Sequence, residues 1–592
     1  MRLQISKSKN SETFYIAKAF RDKNGKSTSK IVERLGSRPE LEERLGSDVD
    51  VVLWGKERAR ELTEAEQAQT RQIMVAYNPS VQIDKDVRKV FSGGYLFLQS
   101  ICSTLGLGDI CGQITEHSNF DYDLSAILSR LIYGRILYPA SKKATFELSE
   151  TLIEKPTFEP HQIYRALEVL ATESEFIQAE LYKNSKCAIG RKDKILYYDC
   201  TNFFFEIEQE DEFRSYGHSK QHQPLPLVQM GLFMDAGGMP LAFNMNSGAT
   251  NEQITMCPLE QTILDDFALS KFIVCTDGGL SSHTNKKFNT QGERQFVTTQ
   301  SIKKLKGFLK IWALDTSGWH AHGTDKTFDL RELEDLLTSK DTDENTRRAI
   351  LNKTFYKERM TNEIPKGETK AFEQRLIVTF SFKYRNYQQK IRQGQIERAA
   401  KAIATNSSRL NKKNQNDFRR FIKKVAVTKD GEVAAEESFS IDEGAVAKEA
   451  LYDGFYGLIT SLDNDDIEGI LKVNAGRWQI EECFRIMKSE FKARPVYLSR
   501  KDRIRAHFLV CFIALLVFRI LGNKLGENYT CAQIIDTLRS FDFKEIRGEG
   551  YEPLYMRTDL TDSLHDAFGF RTDFEIVTNQ KMKEIIRQTK KG

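Results

Sequence analysis

The 592-residue chain lacks most of the features that narrow a function quickly. Its nine cysteines, at 102, 111, 187, 200, 257, 275, 483, 511 and 531, contain no CxxC pair and no Cys/His spacing of the kind a zinc site requires. Odd in number and widely separated, they read as reduced thiols of a cytoplasmic protein. A strong charge of either sign is also missing. The net charge of +4 permits nucleic-acid binding without arguing for it. The longest apolar run, from Phe508 to Phe518, falls short of the roughly 20 residues a bilayer needs and is flanked by arginines and a histidine, so it predicts a buried helix and no membrane partner. MRLQISKSKNSETF carries no apolar signal core, and no repeat or low-complexity tract interrupts the chain. What remains, 40% apolar and 29% charged residues, describes a globular protein of several domains, roughly four on the size prior.

Residues 1–80 read as a small mixed module. FYIAKAFRDKNGKSTSKIVERLG gives two strands around Asp-Lys-Asn-Gly, followed by a charged helix from about Val51 to Tyr77. Residues 85–185 are helical, with DLSAILSRLIYGRIL broken at YPASKK and resumed at ATFELSETL. Arg130, Arg135, Lys142 and Lys143 cluster near that break, and such all-α segments are one way to build a DNA-binding domain. An α/β region follows over 190–300. The span 301–465 mixes strand-like pieces (GFLKIWALD, RLIVTFSFKY, GFYGLITSL) with a helical, strongly basic segment from KYRNYQQKIRQGQIERAAKAIA to RRFIKKVAV, carrying Arg409, Lys412, Lys413, Arg419, Arg420, Lys423, Lys424 and Lys429. Those cations suit either a solvated face or a phosphate backbone. Residues 466–525 are helical again, and 526–592 form a less regular C-terminal region.

The α/β region is the informative one. KILYYDCTNFFFE is a strand in which Asp199 ends the apolar stretch; LPLVQMGLFMDAGGMPLAFNMNSG is a hairpin; NEQITMCPLEQTILDDF is a helix; KFIVCTDGGLSS is a buried strand with Asp277 at its C-terminal end; QFVTT is a fifth strand. A crossover through one helix returns the fourth strand parallel to an earlier one. Packed beside the first, it brings Asp199 and Asp277 into one crevice at the sheet edge. Like charges so close are costly unless a cation lies between them. Far downstream, GRWQIEECFRIMKSEFKARPVY winds Ile480, Cys483, Phe484, Met487 and Phe491 onto one apolar face. Arg477, Glu481 and Lys488 fall within an arc of roughly 40° along its edge, and one more N-terminal turn adds Asn474.

Asp199, Asp277 and the string RWQIEECFRIMK after a long insertion resemble the DDE insertion-sequence transposases. More narrowly, they resemble the insertion-sequence-four-like group, whose helix signature is Y-x2-R-x3-E-x6-K. Arg477, Glu481 and Lys488 match that spacing, with Asn474 at the tyrosine position. YGHSKQHQP, GGMPLAFNMNSGATNEQ, SRLIYGRILYPASKK and FKARPVYLSRKDRIRAHFLVCFIALL extend the similarity over about residues 10–525. The resemblance implies a multidomain α/β protein with an RNase H-like mixed-sheet core, begun over 190–300, interrupted by an insertion domain over 301–465 and completed over 466–525. The C-terminal region would serve dimerisation. It implies a prokaryotic enzyme that binds terminal inverted repeats, cleaves DNA with a hairpin on the transposon end, and joins the 3′-hydroxyl to target DNA as a homodimer. Asp199, Asp277 and Glu481 would hold two magnesium or manganese ions, with no small-molecule cofactor. Arg477, Lys488, Arg485, Arg419, Arg420, Lys423 and Lys424 would contact DNA.

Each residue also has a plainer reading: Asp199 as a strand-end cap, Asp277 as the turn before Gly278 and Gly279, His218, His222, His283 and His507 as hydrogen-bonding residues, and Trp312, Trp319 and Trp478 as packing. Two other functions share the same residues. One is a domesticated or decayed copy that grips DNA without cutting; the other is a structure-specific nuclease on the same core.

Overall fold

The computed structural model describes residues 1–591 except 9–10, 22–26, 47–48, 71–72, 76, 221–222, 365–370, 406–416, 428–435 and 464–465. It forms two compact units, Met1–Val87 with Ile546–Glu549, and Arg88–Glu545 with Gly550–Gly592.

The smaller unit is a three-stranded antiparallel sheet, β1 (Arg2–Ser8), β2 (Ser11–Arg21) and β3 (Ser27–Ser37), with helices α1 (Arg38–Leu45) and α2 (Val51–Thr70). β1 is a strand beyond the two expected; it pairs along β2 from Arg2↔Ala17 to Ser8↔Ser11. The turn Asp-Lys-Asn-Gly lies outside the described residues. Phe14, Ile16, Leu41 and Val51 form the buried centre.

The larger unit opens with β4 (Val90–Ser92) and six helices: α3 (Tyr95–Thr104), α4 (Leu107–Glu116), α5 (Leu124–Leu137), α6 (Lys142–Ser149), α7 (Pro160–Thr172) and α8 (Ser174–Ile189). Then come β5 (Ile195–Phe204), β6 (Leu227–Asp235), β7 (Pro240–Ser247), α9 (Met256–Asp266), β8 (Ile273–Thr276), α10 (His283–Phe288) and β9 (Gln295–Thr299). The span 301–465 supplies α11 (Gly307–Leu314), β10 (Trp319–Ala321), β11 (Thr324–Phe328), α12 (Leu330–Thr338), α13 (Glu344–Asn352), β12 (Phe355–Glu363), β13 (Phe372–Phe380), α14 (Phe382–Ala404), β14 (Ile422–Val427), β15 (Glu436–Ile441), α15 (Glu443–Ala450) and β16 (Phe455–Thr460). The chain ends with α16 (Ile467–Ala475), α17 (Trp478–Ser489), α18 (Lys501–Lys524), α19 (Cys531–Ser540), β17 (Asp542–Ile546), β18 (Gly550–Pro553), α20 (Asp559–Phe568), β19 (Val577–Thr578) and α21 (Asn579–Thr589).

Ten strands make one mixed sheet in the order β11-β10-β12-β13-β16-β9-β8-β5-β6-β7. The span expected as an insertion therefore lends five strands to the same sheet, and β16 joins them to β9 at Leu458↔Thr299. Three expectations are corrected here. The basic segment expected as helical through RRFIKKVAV instead runs from a short 3-10 turn at Phe418–Phe421 into strand β14, which pairs antiparallel with β15. GFLKIWALD, strand-like by its run of apolar residues, is helix α11: Leu309 and Ala313, four residues apart, are buried, whereas Phe308 and Ile311 are exposed. Asp199 does not end its strand; β5 continues to Phe204 because Asp199–Phe204 stay paired with β6 after β8 has stopped.

Helix α18 lies at the centre of the larger unit. It contains the 508–518 run, and although long and apolar enough to cross a membrane, it is 89% buried over its most apolar window. Phe508 meets Phe203 of β5 at 4.6 Å between ring centroids, Phe512 meets Phe243 of β7 at 5.1 Å, and Phe518 meets Phe491 after α17 at 5.9 Å. Its other sides are covered by α3, α5, α7 and α8. The C-terminal residues close the same body: β17–β19 pair with β4, and Thr589 donates to Gln99 of α3 at 2.8 Å. Truncating Phe512, 1% exposed, removes a ring from this junction. Phe512→Ala is expected to destabilise the larger unit by about 3–5 kcal/mol, read as a lowered urea midpoint.

Candidate functional site

β8 runs parallel to β5 in the register Ile195↔Ile273, Leu196↔Val274 and Tyr197↔Cys275. Two residues further along each strand stand Asp199 and Asp277, so the pairing sets the two carboxylates side by side. Asp277 is fixed by the turn it begins: its Oδ1 accepts the amides of Gly279 at 3.0 Å and Leu280 at 3.2 Å. Gly278 is needed for closeness alone, since a Cβ there would lie 2.9 Å from the Thr299 carbonyl of β9.

Side chains alternate along β5, placing Tyr197, Asp199, Thr201 and Phe203 on one face. Helices α16 and α17 pack on that face. Tyr197 donates its hydroxyl to the Val473 carbonyl at 2.9 Å, and a Cβ on Gly476 would lie 2.2 Å from that hydroxyl. Glycine at the helix junction thus lets it settle onto the sheet. Ile480, Cys483, Phe484, Met487 and Phe491 are all buried, as their spacing predicts. The edge beside them follows β5: Arg477 lies close enough to stabilise the Asp199 carboxylate, and Lys488 donates to the Thr201 hydroxyl while its ammonium lies 5.5 Å from the Phe203 ring. Glu481 is on the arc between these two cations and is exposed.

Asp199 carries the electrostatic strain. Burial pushes its carboxyl from 3.8 up to about 6, and Asp277 adds to the rise; Lys220, the Cys200 amide and Arg477 oppose it. Lys488 is held down to about 8 by burial, with Arg494 and Lys220 adding repulsion. A buried carboxylate with a second beside it, both offering oxygen alone, is a donor pair suited to a hard divalent cation. Among the described residues, the acid, histidine or cysteine trios whose ligand atoms all lie within 4.8 Å of one another are His322, Asp466 and Glu468, and Asp562, His565 and Asp573. Asp199, Asp277 and Glu481 do not form such a trio.

Three residues of this crevice were not legible beforehand. Lys220, from the β5–β6 loop, donates to the Cys200 carbonyl and lies 4.0 Å from Asp199 and 3.4 Å from Glu252. Glu252 sits in a short 3-10 turn before α9. Tyr456 of β16 brings its hydroxyl 2.9 Å from Thr299 and 3.3 Å from Asn474. Lys220 and Glu252 lie in polar loops, and neither their type nor their spacing marks them.

Asn474 belongs to α16 rather than to the helix of Arg477, because the chain tightens into i→i+3 turns between Asn474 and Ile480. Several expected DNA contacts are already engaged. Arg420 forms a two-pronged pair with Glu449 at 2.8 and 3.1 Å, and Arg485 pairs with Glu482 at 2.7 Å and Glu490 at 3.4 Å. Arg419 lies 3.8 Å from Asp417, while Lys423 and Lys424 are exposed on β14. Arg409, Lys412, Lys413 and Lys429 lie outside the described residues, as does His222. Trp319 is buried and donates to the Asp315 carbonyl at 2.9 Å, whereas Trp478, read as packing, is 61% exposed beside the site.

Similarity searches add little to this geometry. No protein-family model and no curated protein sequence matches the chain. Among solved structures, it aligns with a piggyBac transposase synaptic complex with hairpin DNA over 83% of this chain and 87% of that one, at 9% identity and a TM-score of 0.33. It also aligns with a Mos1 transposase paired-end complex with the left transposon end over 43% and 68%, at 11% identity and a TM-score of 0.13. Scores this low leave the reading of function to the residues.

A group whose folded value is raised contributes stability below its unfolded value and loses it as pH climbs through the folded one. For Asp199 that window runs from about 4 to about 6. Without divalent metal at pH 8, Asp199→Asn is therefore expected to stabilise the protein by up to about 3 kcal/mol, a gain that closes as the pH falls toward 4. Urea unfolding across that range checks it; a gain independent of pH contradicts it.

Proposed function

We propose that this protein is a metal-dependent DNA transposase in which Asp199, Asp277 and Glu481 form the cleavage site. One observation carries the reading: β5 and β8, distant in sequence and joined in parallel register, put two half-buried carboxylates beside a helix whose edge presents Arg477, Glu481 and Lys488. Asp199 and Asp277 would hold magnesium or manganese, with Glu481 drawn toward them to complete the donor set. Bound there, such ions supply stabilisation of the attacking and leaving oxygens in phosphodiester cleavage.

The protein's own groups do the rest. Arg477 and Lys488, on the same edge as Glu481, hold backbone phosphates against the crevice. Lys488 is suited to this because it is partly desolvated and has only a hydroxyl, not a carboxylate, as its hydrogen-bond partner. Lys220 orients Asp199 and balances part of its charge. In this reading the partners are double-stranded DNA, as terminal inverted repeats and as target, and a second copy of the chain in the synaptic complex. A hairpin on the transposon end and a prokaryotic cytoplasmic setting belong to the same proposal.

A second reading, a protein that grips DNA without cutting it, is favoured by the exposed position of Glu481 and by asparagine at 474. Terminal-repeat duplex with added magnesium separates the two. Cleavage and strand-transfer products are expected from the wild type. Asp199→Asn, Asp277→Asn and Glu481→Gln should each lower the cleavage rate by at least about 10²-fold while leaving the gel shift largely intact. A shift without products, or full activity in any of the three variants, refutes the enzymatic reading.

A further inference from the structure

A cavity of about 370 Å³ opens between the α5–α6 junction, α7, α18 and the loop after α17. Its walls include Arg135, Lys142, Lys492 and Arg494, and none of its lining residues is acidic. Arg135 and Lys142 are each 6% exposed. Several buried cations elsewhere in the unit have carboxylate partners: Arg191 has Asp235 at 2.7 Å, Arg294 has Glu260 at 3.1 Å, and Lys286 has Glu363. Among the described residues, Arg135 and Lys142 have none. Lys142 makes no hydrogen bond or ion pair with any described residue. Arg135 donates to the carbonyls of Phe491 at 3.0 Å and Lys492 at 3.2 Å, yet its buried Nε has no partner.

Burying two cations side by side without an anion is costly, and the surrounding groups do not relieve it. His507 is kept neutral by burial and donates Nε2–H to the Ala493 carbonyl at 3.0 Å. Burial and Arg135 push Lys142 down to about 7. Helix α6 begins at Lys142, and its N-cap Ser141 also lines the cavity, so the positive end of the helix dipole lies at this wall. Arg494 links the cavity electrostatically to the other site: it lies 4.8 Å from the Phe204 ring and repels Lys488, which reaches Thr201 two residues from Asp199.

We infer that this cavity is a phosphate-binding subsite in which Lys142 and Arg135 supply the buried ligands and Lys492 and Arg494 the rim. A tetrahedral oxyanion matches an ammonium and a guanidinium N–H in one recess without a competing acid. Where the phosphate belongs to DNA, the assignment rests on the reading that the chain acts on DNA, and it places one backbone phosphate away from the scissile position.

Two metal-free measurements test it. In the first, thermal unfolding is followed in inorganic phosphate against chloride at equal ionic strength. The wild type should gain stability in phosphate, and Lys142→Met should lose more than half of that gain while unfolding no earlier in chloride. Lys142→Arg should keep most of it. Lys492→Asn, at a position whose backbone φ of 44° asparagine tolerates, should reduce it without touching the buried groups. In the second, a 5′-phosphorylated duplex is titrated with salt by fluorescence anisotropy. A slope of log affinity against log salt reduced by about one in Lys142→Met assigns the phosphate to DNA. An unchanged slope, or no DNA binding by the wild type, with the phosphate response still dependent on Lys142, assigns the subsite to free phosphate. Equal phosphate responses in wild type, Lys142→Met and Lys492→Asn overturn the inference, whatever the outcome of the cleavage assay.

Discussion

The arrangement of the larger unit depends on the burial of α18. Its aromatic residues reach β5 and β7 on one side and the segment after α17 on another, while the N-terminal helices cover what remains. Sixteen of its residues are buried. At roughly 1.5–3 kcal/mol for each large apolar side chain, no other single element contributes comparably. The same helix carries His507, whose bond to the Ala493 carbonyl fixes the loop that bears Arg494. Sheet, signature helix and cationic cavity are thus referred to one apolar axis.

Around that axis the polar groups are distributed unevenly, and the unevenness is informative. Most buried charges are paired within the chain, as Arg191 is with Asp235 and Arg392 with Asp453. Two departures bear on function: Asp199 beside Asp277, where negative charge exceeds what Lys220 balances, and Lys142 beside Arg135, which have no carboxylate partner among the described residues. Charge of opposite sign in two recesses of one unit suits a ligand that brings cations to one and phosphates to the other. Nucleic acid bound with divalent metal has that composition.

Much of the secondary structure could be read directly. The hairpin at Asp-Ala-Gly-Gly, the buried strand ending at Asp277, and the apolar face of Ile480, Cys483, Phe484, Met487 and Phe491 follow from periodicity and turn chemistry, which are local properties. The reading failed where local pattern is ambiguous. GFLKIWALD is apolar at both periods, and only its packing of Leu309 and Ala313 against the core makes it a helix. The extension of β5 past Asp199 depends on β6, a partner that its own residues do not announce.

By itself the sequence determined which side chains carry chemistry, their spacing along α17, and the presence of a strand–hairpin–helix–strand order able to bring Asp199 to Asp277. Those are properties of short segments and of chain direction. Only the tertiary structure decided that the span 301–465 extends the same sheet, that Arg420 and Arg485 are held by neighbouring carboxylates, that Lys220 approaches Asp199, and that Arg135 and Lys142 share a recess without an acid. Each of these depends on contacts between residues far apart in the chain, where burial and the identity of the opposing group, not the residue type, set the energy of a charge.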